Sequence, residues 1–309
     1  MRAIRAIVGT GLENILLFRE RWNKKKVFEM FIQTQIKQTP EYHNIKEIQA
    51  NNRKYDVLIA GSDQIWNRRL TNDEFDPVYF LEFGEEYVRR IAYAVSLGET
   101  TVKDCTHFIS KSKFSLNKIS CREKVEAAKI EQQLGESCSF VPDPTLLIEN
   151  VDYNKILSAP KESDYILVYI LKTNEVMNEV VKQLVYNGWK VINISPIRIS
   201  VKGMRNVYPV SPSEFLGYIK NAKIVFTNSF HGTILSLIFK KNFACGLHGT
   251  RNQRILNLLN EVGLTGQIIN EPSQFDFVFK NEVDYNSINA KINRLSLQGK
   301  EYLNIALHS

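Results

Sequence analysis

The stretch "KIVFTNSFHGTILSLIFKKNFACGL", residues 223–247, carries the pattern that decides the fold class. Its first part, up to Thr227, is a run of β-branched and aromatic residues that is typical of a buried strand. The run "GTILSLIFKK" predicts a helix beginning at Gly232, and "NFACGL" predicts a second strand. Because strand, helix and strand in this order form a parallel β–α–β unit, the stretch indicates an α/β protein.

The polar residues between this strand and this helix are predicted to form a ligand-binding turn. His231 lies there, with Asn228 and Ser229 before it and Gly232 and Thr233 after it. In an open α/β sheet, ligands bind outside the carboxyl ends of strands, and N–H groups at a helix start favour anions. A lone histidine is usually structural, but this placement favours a role in proton transfer at an anionic ligand.

The same alternation of strands and helices continues along the chain and predicts two Rossmann-like domains facing a cleft. The strands expected first are "YDVLIA", "RRIAYAV", "KISC" and "CSF", before a charged, proline-containing stretch at 150–163 that marks a boundary. We therefore predict an N-terminal α/β domain over 1–150, a Rossmann-like domain over 151–284, and a pair of C-terminal helices within 285–309.

The first fifty residues depart from this scheme. Two helices are predicted there, over 12–34 and 42–53, and the first strand comes only at 55–60. Because a Rossmann-like half normally opens with its strand, we expect the first domain to lack its N-terminal β–α unit. Residues 1–54 also hold 11 Lys and Arg against 5 Glu, which indicates either a basic face for an anionic membrane or a solvated helix surface.

Composition and the absence of known motifs exclude several classes of protein. The 309 residues are 44% hydrophobic and 24% charged, as in soluble globular proteins. No apolar run approaches the ~18 residues of a membrane span, and no signal peptide is recognisable. Four cysteines without metal-ligand spacing predict reduced thiols, no metal site and a cytoplasmic location. Nucleic-acid-binding, P-loop, GxGxxG, GxSxG and HExxH motifs are absent.

Further polar clusters follow other predicted strands. "GSDQIWN" offers the side chains of Ser62, Asp63, Gln64 and Asn67 to a ligand; alternatively, Ser62 and Asp63 only cap the next helix. In "SCRE", Arg122 could bind phosphate or carboxylate with its planar fork, or it could pair with Glu123 or another acid.

A last cluster, "HGTRNQR", covers residues 248–254 and follows the strand "NFACGL". Its Arg251 and Arg254 would add positive charge near the same cleft. The four clusters together predict a site for an anionic ligand at the carboxyl ends of the strands.

Taken together, several segments resemble the polysaccharide pyruvyl transferase family in order and spacing: "GSDQIWN", "FDPVYFL", "RIAYAVSLG", "SCREK", "DPTLL", "TNSFHGT" and "RILNLLNEVGL". The resemblance implies a GT-B-like fold. It also implies transfer of a pyruvyl unit from phosphoenolpyruvate (PEP) onto two hydroxyls of a sugar in a cell-surface or secreted polysaccharide precursor, which forms a pyruvate ketal. The chain lacks the "NYGAVLQAYAL"-type opening that family members usually have.

The resemblance also implies roles for individual residues. His231 would be the acid/base and Arg122 the clamp on PEP, while the substrate-binding residues would be Ser62, Asp63, Gln64, Asn67, Asn228, Ser229, Gly232, Thr233 and Arg254. Partners would be PEP and a sugar or lipid-linked oligosaccharide, with no cofactor or metal, in the cytoplasm or peripherally at the inner face of the membrane. Two alternatives stay open: a GT-B glycosyltransferase using a nucleotide sugar, and a truncated, non-catalytic homologue.

Overall fold

Two compact units, each built on a parallel sheet, are seen in the computed structural model, which describes residues 25–50, 55–247 and 252–308. The four-stranded unit consists of Pro40–Ile148, Leu256–Gly263 and residues 286–308. The six-stranded unit consists of residues 25–39, Glu149–Ile255 and Leu264–Tyr285. The chain passes from the four-stranded to the six-stranded unit after Ile148, and both units are discontinuous in sequence.

The four-stranded sheet has the order β1-β2-β3-β4, and neighbouring strands are parallel. Strand β2 is buried over almost its whole length, since both of its faces are covered. Ile91 of β2 lies beside Ile59 of β1, and Ala92 lies beside Ile119 of β3. All four predicted strands are found, with the bounds Val57–Ala60 (β1), Arg89–Val95 (β2), Lys118–Cys121 (β3) and Cys138–Phe140 (β4).

The helices of this unit begin and end at the residues that local chemistry favours. Thr101 caps α3 by accepting a hydrogen bond from the N–H of Asp104, and α4 ends at Gly135 in the left-handed conformation. Among the described residues of this unit, the α-helices that precede β4 are Ile45–Ala50 (α2), Val102–Ile109 (α3) and Lys124–Leu134 (α4).

The C-terminal segment corrects one prediction. Instead of a pair of helices, a single 24-residue helix, α11, covers Tyr285–His308. Gly299 does not break it. A Cβ at this position would lie 2.5 Å from Cδ2 of Leu147 and 2.7 Å from the hydroxyl of Tyr93, so the glycine allows the helix to approach the end of the four-stranded sheet.

The six-stranded sheet has the order β10-β9-β8-β5-β6-β7, again with parallel neighbours. Its centre is apolar, with Ile166, Val168 and Phe226 fully buried against Met177 of α6. This pattern of continuous apolar strands is typical of a sheet covered on both faces. The strands are Ile166–Tyr169 (β5), Val191–Asn193 (β6), Arg205–Asn206 (β7), Ile224–Thr227 (β8), Asn242–Gly246 (β9) and Ile268–Ile269 (β10).

Two helices of the six-stranded unit begin at serine caps. Ser211 and Glu214 form a capping box at the start of α7. Helix α8, however, begins at Phe230 with Ser229 as its N-cap, not at Gly232. The helices within this unit are Asn150–Tyr153 (α5), Glu175–Tyr186 (α6), Pro212–Asn221 (α7), Phe230–Ile238 (α8) and Ser273–Lys280 (α10), while Gln253–Val262 (α9) is divided between the two units after Ile255.

The amino-terminal segment is described only in part. Residues 25–35 form a helix, α1, whereas residues 12–24 of the predicted helix lie outside the described ranges. Within the described ranges, no helix is both long enough and apolar enough to cross a bilayer.

The predicted class, two Rossmann-like α/β units, is confirmed. In the described part of the chain one sheet has four strands and the other six. The absence of an N-terminal β–α unit and the cleft between the units stay predictions.

Candidate functional site

Arg122 follows β3 and lies at the centre of a buried ion-pair network in the four-stranded unit. Its guanidinium is 2.9 Å from Oδ1 of Asp63 through Nη2 and 2.9 Å from Oδ2 of Asp143 through Nη1. The Nε atom is 3.5 Å from Oε1 of Glu123. The side chain of Arg122 is only 2% exposed, so the guanidinium is committed to protein carboxylates and is not presented to solvent.

Asp143, which the sequence analysis did not single out, holds the far side of this network. Its Oδ1 accepts hydrogen bonds from the N–H and the hydroxyl of Thr145, and its Oδ2 accepts one from the Ser62 hydroxyl. The capping role of Asp143 could have been predicted from the sequence, because an acid before a proline at the end of a strand caps the next short helix. Its pairing with Arg122, 21 residues earlier, could not be predicted from the local sequence.

Burial sets the electrostatics of the network. Desolvation raises the pKa of Glu123, although the charge of Arg122 and the Ser96 hydroxyl act in the opposite direction. For Arg122, burial works to lower the pKa, but the carboxylates of Glu123 and Asp143 outweigh this and the pKa is raised. Arg122 therefore stays charged, and its charge stabilises acids that would otherwise be costly to bury.

The loop after β1 contributes the exposed edge of this cluster. Gly61 has φ of +142°, and a Cβ there would overlap the carbonyl oxygen of Tyr93. Asp63 has a left-handed φ of 68°, and its carbonyl accepts a hydrogen bond from the N–H of Ser96. Because the Asp63 side chain is 66% exposed while it contacts Arg122, this carboxylate is the member of the network that faces solvent.

The other residues predicted in this loop have structural roles. Asn67 is buried and caps the short 3-10 helix Arg68–Leu70, while its amide donates to Oε1 of Gln64. The sequence left Ser62 and Asp63 open as caps of the next helix, but the residue that caps it is Asn67. Ser62 and Asp63 are joined to Arg122 and Asp143, so the structure brings together the "GSDQIWN" and "SCRE" segments within one unit.

A second cluster follows β8 in the six-stranded unit. Asn228 accepts a hydrogen bond from the N–H of Leu171 at 2.8 Å and donates one to the carbonyl of Lys172 at 2.7 Å, which ties the turn after β8 to the turn after β5. Ser229 caps α8 by accepting from the N–H of Gly232. The turn is thereby held in place by its own side chains.

Gly232 and Thr233 lie inside α8, not on the exposed surface of an anion-binding turn as predicted. Gly232 is needed for packing because a Cβ would overlap Oγ1 of Thr227. Thr233 is buried, donates to the carbonyl of Ser229 at 3.0 Å and lies 3.1 Å from Sγ of Cys245. The helix begins two residues earlier than its apolar run indicates. Both residues are therefore part of the helix and stabilise the turn by packing, without facing a ligand.

His231 is partly exposed in the first turn of α8, and within the described ranges its imidazole makes no hydrogen bond. Its ring contacts Phe230 edge to face, with centroids 5.5 Å apart. Arg254 of α9 lies against the same Phe230, its Cζ 5.8 Å from the ring centroid. The structure thus brings Arg254 close to the His231 turn, whereas residues 248–251, with Arg251, lie outside the described ranges.

Comparison with known protein families identifies the family of this chain. The family model described as polysaccharide pyruvyl transferase matches residues 9–245, which include both. The chain belongs to the polysaccharide pyruvyl transferase family. No curated protein sequence matches it. The resemblance carried by the "GSDQIWN" and "TNSFHGT" segments is confirmed by this match.

Two solved structures that match most of the chain do so with low similarity. The Methanocaldococcus jannaschii UDP-GlcNAc 2-epimerase in complex with UDP-GlcNAc and UDP is 14% identical, with 86% of this chain and 79% of that chain covered and a TM-score of 0.47. S. aureus MnaA with UDP is 12% identical, with 89% and 86% covered and a TM-score of 0.44. Similarity this low says nothing about the ligand or activity of this pyruvyl transferase family member.

Proposed function

We propose that this chain transfers the pyruvyl unit of PEP onto two hydroxyls of a sugar in a cell-surface or secreted polysaccharide precursor, forming a pyruvate ketal. Membership of the family supports transferase chemistry. The observation that carries the proposal is the imidazole of His231, which is partly exposed in the first turn of α8, beside Arg254, without a hydrogen bond among the described residues.

The proposed reaction balances without an oxidant or a metal. A proton adds to C3 of PEP, which becomes the methyl group, and one sugar hydroxyl adds to C2. The C2–O bond to phosphate then breaks, and the second hydroxyl attacks C2 and closes the ketal. Of the two hydroxyl protons, one is accounted for by the methyl group and the other by the released hydrogen phosphate. A side chain such as histidine, which gives and takes protons near neutral pH, suits both transfers.

PEP is strongly anionic, so its site needs positive charge and N–H donors. Arg254 and the start of α8 offer both on the six-stranded unit. Arg122 is already paired with three acids, and we propose that it acts as a positioning residue that holds the exposed carboxylate of Asp63. Asp63 would then orient a sugar hydroxyl, because a carboxylate accepts hydrogen bonds from hydroxyl groups.

The acceptor is proposed to be a sugar, free or as part of a lipid-linked oligosaccharide, at the cytoplasmic side of the membrane. The basic surplus of residues 1–54 supports peripheral contact with an anionic lipid surface. PEP supplies the transferred group itself, and no further cofactor is proposed.

The test is incubation of the purified protein with PEP and a panel of 4-nitrophenyl glycosides and lipid-linked sugars. Phosphate release and the mass of the ketal product are followed. We expect His231→Asn to fold normally and to lower the rate of ketal formation by about 10²-fold or more, the usual contribution of a general acid–base. The matched control is His43→Asn, an exposed histidine outside both clusters. Near-normal turnover by His231→Asn would remove this residue from the mechanism.

A further inference from the structure

A cavity of about 440 Å³ opens on the four-stranded unit, away from the ion-pair network described above. It lies between the segment after the "GSDQIWN" loop and the C-terminal end of α3. Its floor is made of Phe75 and Phe108, whose ring centroids are 4.9 Å apart with planes tilted by 43°. Phe80 packs against both rings from below, so this apolar floor is fixed in place. The volume is in the range of small-molecule sites.

The rim of the cavity carries charges of both signs. Arg68 and Asp104 face each other, with Nη1 and Oδ2 3.4 Å apart, and both side chains stay more than a third exposed. Lys111 adds a second positive charge. Glu82 accepts a hydrogen bond from the N–H of Lys113 through Oε2, while its Oε1 is buried without a hydrogen-bond donor among the described residues.

These features select one class of ligand. A strongly anionic ligand would be repelled by Glu82 and Asp104, and a cationic one by Arg68 and Lys111. A wholly apolar ligand would leave these polar groups without partners, which is costly. A neutral molecule with an apolar face and several hydroxyls fits both parts of the cavity. Its apolar face packs on the aromatic rings, and its hydroxyls donate to and accept from the charged groups of the rim. Sugar rings have this character.

We infer that the cavity binds a neutral sugar residue, as a subsite for a part of the acceptor glycan that does not itself react. Arg68 directly follows Asn67 of the "GSDQIWN" loop, and its N–H donates to Thr100, so the cavity borders the loop that carries Asp63. This assignment to the acceptor rests on the proposed function. The presence of a sugar site does not, and it can be measured without PEP.

The probe is a panel of methyl glycosides of common hexoses and N-acetylhexosamines, with saturation-transfer NMR on the full chain in the absence of PEP. We expect transfer to the ring C–H protons of at least one glycoside. Ser112→Trp, which fills the cavity from its rim, should abolish this transfer. Ser110→Trp, an exposed position two residues away that does not line the cavity, is the matched control and should keep it.

Lys111→Glu separates a sugar from an anion as the occupant. Binding of a neutral glycoside should change by less than about threefold, whereas binding of inorganic phosphate, followed by ³¹P line broadening, would be lost if the cavity were an anion site. The inference is overturned if no glycoside shows transfer that Ser112→Trp removes, or if phosphate binds in a manner dependent on Lys111. Absence of ketal formation with a normal glycoside signal would refute the proposed function and leave the sugar site standing.

Discussion

At the residue scale, Arg122 shows how the partners of a side chain change its expected role. The sequence places it after a strand, where an arginine can clamp PEP. In the structure its fork spans Asp63 and Asp143, and a phosphate at the same guanidinium would meet the charge of three acids. The structure therefore favours a guanidinium that orders the loop after β1 over one that is free to bind a phosphate.

Arg122→Lys tests this role. A lysine has its donors on one atom and cannot reproduce a fork between two carboxylates. If Arg122 positions Asp63, kcat should fall by roughly tenfold while the KM for PEP changes little, since a misplaced group costs rate more than binding. Steady-state kinetics measures kcat and the KM for PEP of this variant. The control is Arg69→Lys, since Arg69 is an exposed arginine that pairs with Glu99. A rise in the KM for PEP larger than that for the sugar would restore the direct clamp.

Glu123 makes the stability of the protein depend on pH. Desolvation raises its pKa above the usual value of 4.5, so the folded state holds this proton at a pH where the unfolded state has lost it. The contribution of Glu123 to the free energy of unfolding is therefore fully present below pH 4.5. It decreases as the pH rises through the folded pKa.

Urea unfolding between pH 4 and pH 8 measures this contribution. Glu123→Gln should remove the decrease that wild type shows above pH 4.5, because glutamine does not titrate. Glu131→Gln, an exposed glutamate on the same helix α4, controls for the loss of one charge. Identical pH profiles for wild type and Glu123→Gln would show that the burial of this carboxyl does not affect stability.

At the element scale, helix starts and glycines are where the sequence pattern and the packing differ. Helix α8 begins at Phe230 because Ser229 can cap it, although the apolar run that predicts the helix begins later. Helix α11 continues through Gly299 because residues 286–308 belong to the four-stranded unit, with Ile288, Leu295 and Ala306 buried. Local propensity marks glycine as a weak point of a helix, but close packing can require it there.

Gly217 in α7 allows a direct test of this point. Replacing a glycine in a helix interior by alanine usually stabilises by about 0.5–1 kcal/mol. Here a Cβ would overlap the carbonyl oxygen of Ser158, a backbone atom that cannot swing aside. We expect Gly217→Ala to lower the free energy of unfolding by about 1–3 kcal/mol in urea titrations, as overpacked sites do.

Gly266→Ala is the control for this substitution, since its Cβ would meet no atom within 4 Å. A stabilised Gly217→Ala would mean that the segment at Ser158 can move away from α7 at little cost.

At the scale of the whole molecule, the reactivity of the four cysteine thiols measures how often the folded units open. Cys105, Cys121 and Cys138 lie in the core of the four-stranded unit and Cys245 in the sheet of the other, and all four are buried and free. Desolvation raises the pKa of Cys138 and of Cys245 to about 12. Thiols that are both buried and protonated do not react with disulfide reagents.

We expect the native protein to release no thionitrobenzoate from Ellman's reagent at pH 8 within minutes, and all four thiols to react in guanidinium chloride. A Ser110→Cys variant, with an exposed thiol, should react at once and serves as the positive control. Rapid reaction of a native cysteine would reveal local opening of one of the two units.

The sequence by itself determined the class of fold, the strands and the turns that carry polar residues, because hydrophobic periodicity and capping are local properties. It also placed His231 at the carboxyl end of β8. Only the tertiary structure decided that Arg122 pairs with Asp63, 59 residues away, that Asn67 is a cap, and that Phe75 and Phe108 form the floor of a cavity. These contacts depend on strand order and on the path of long loops, which bring together residues whose separation along the chain shows no periodic pattern.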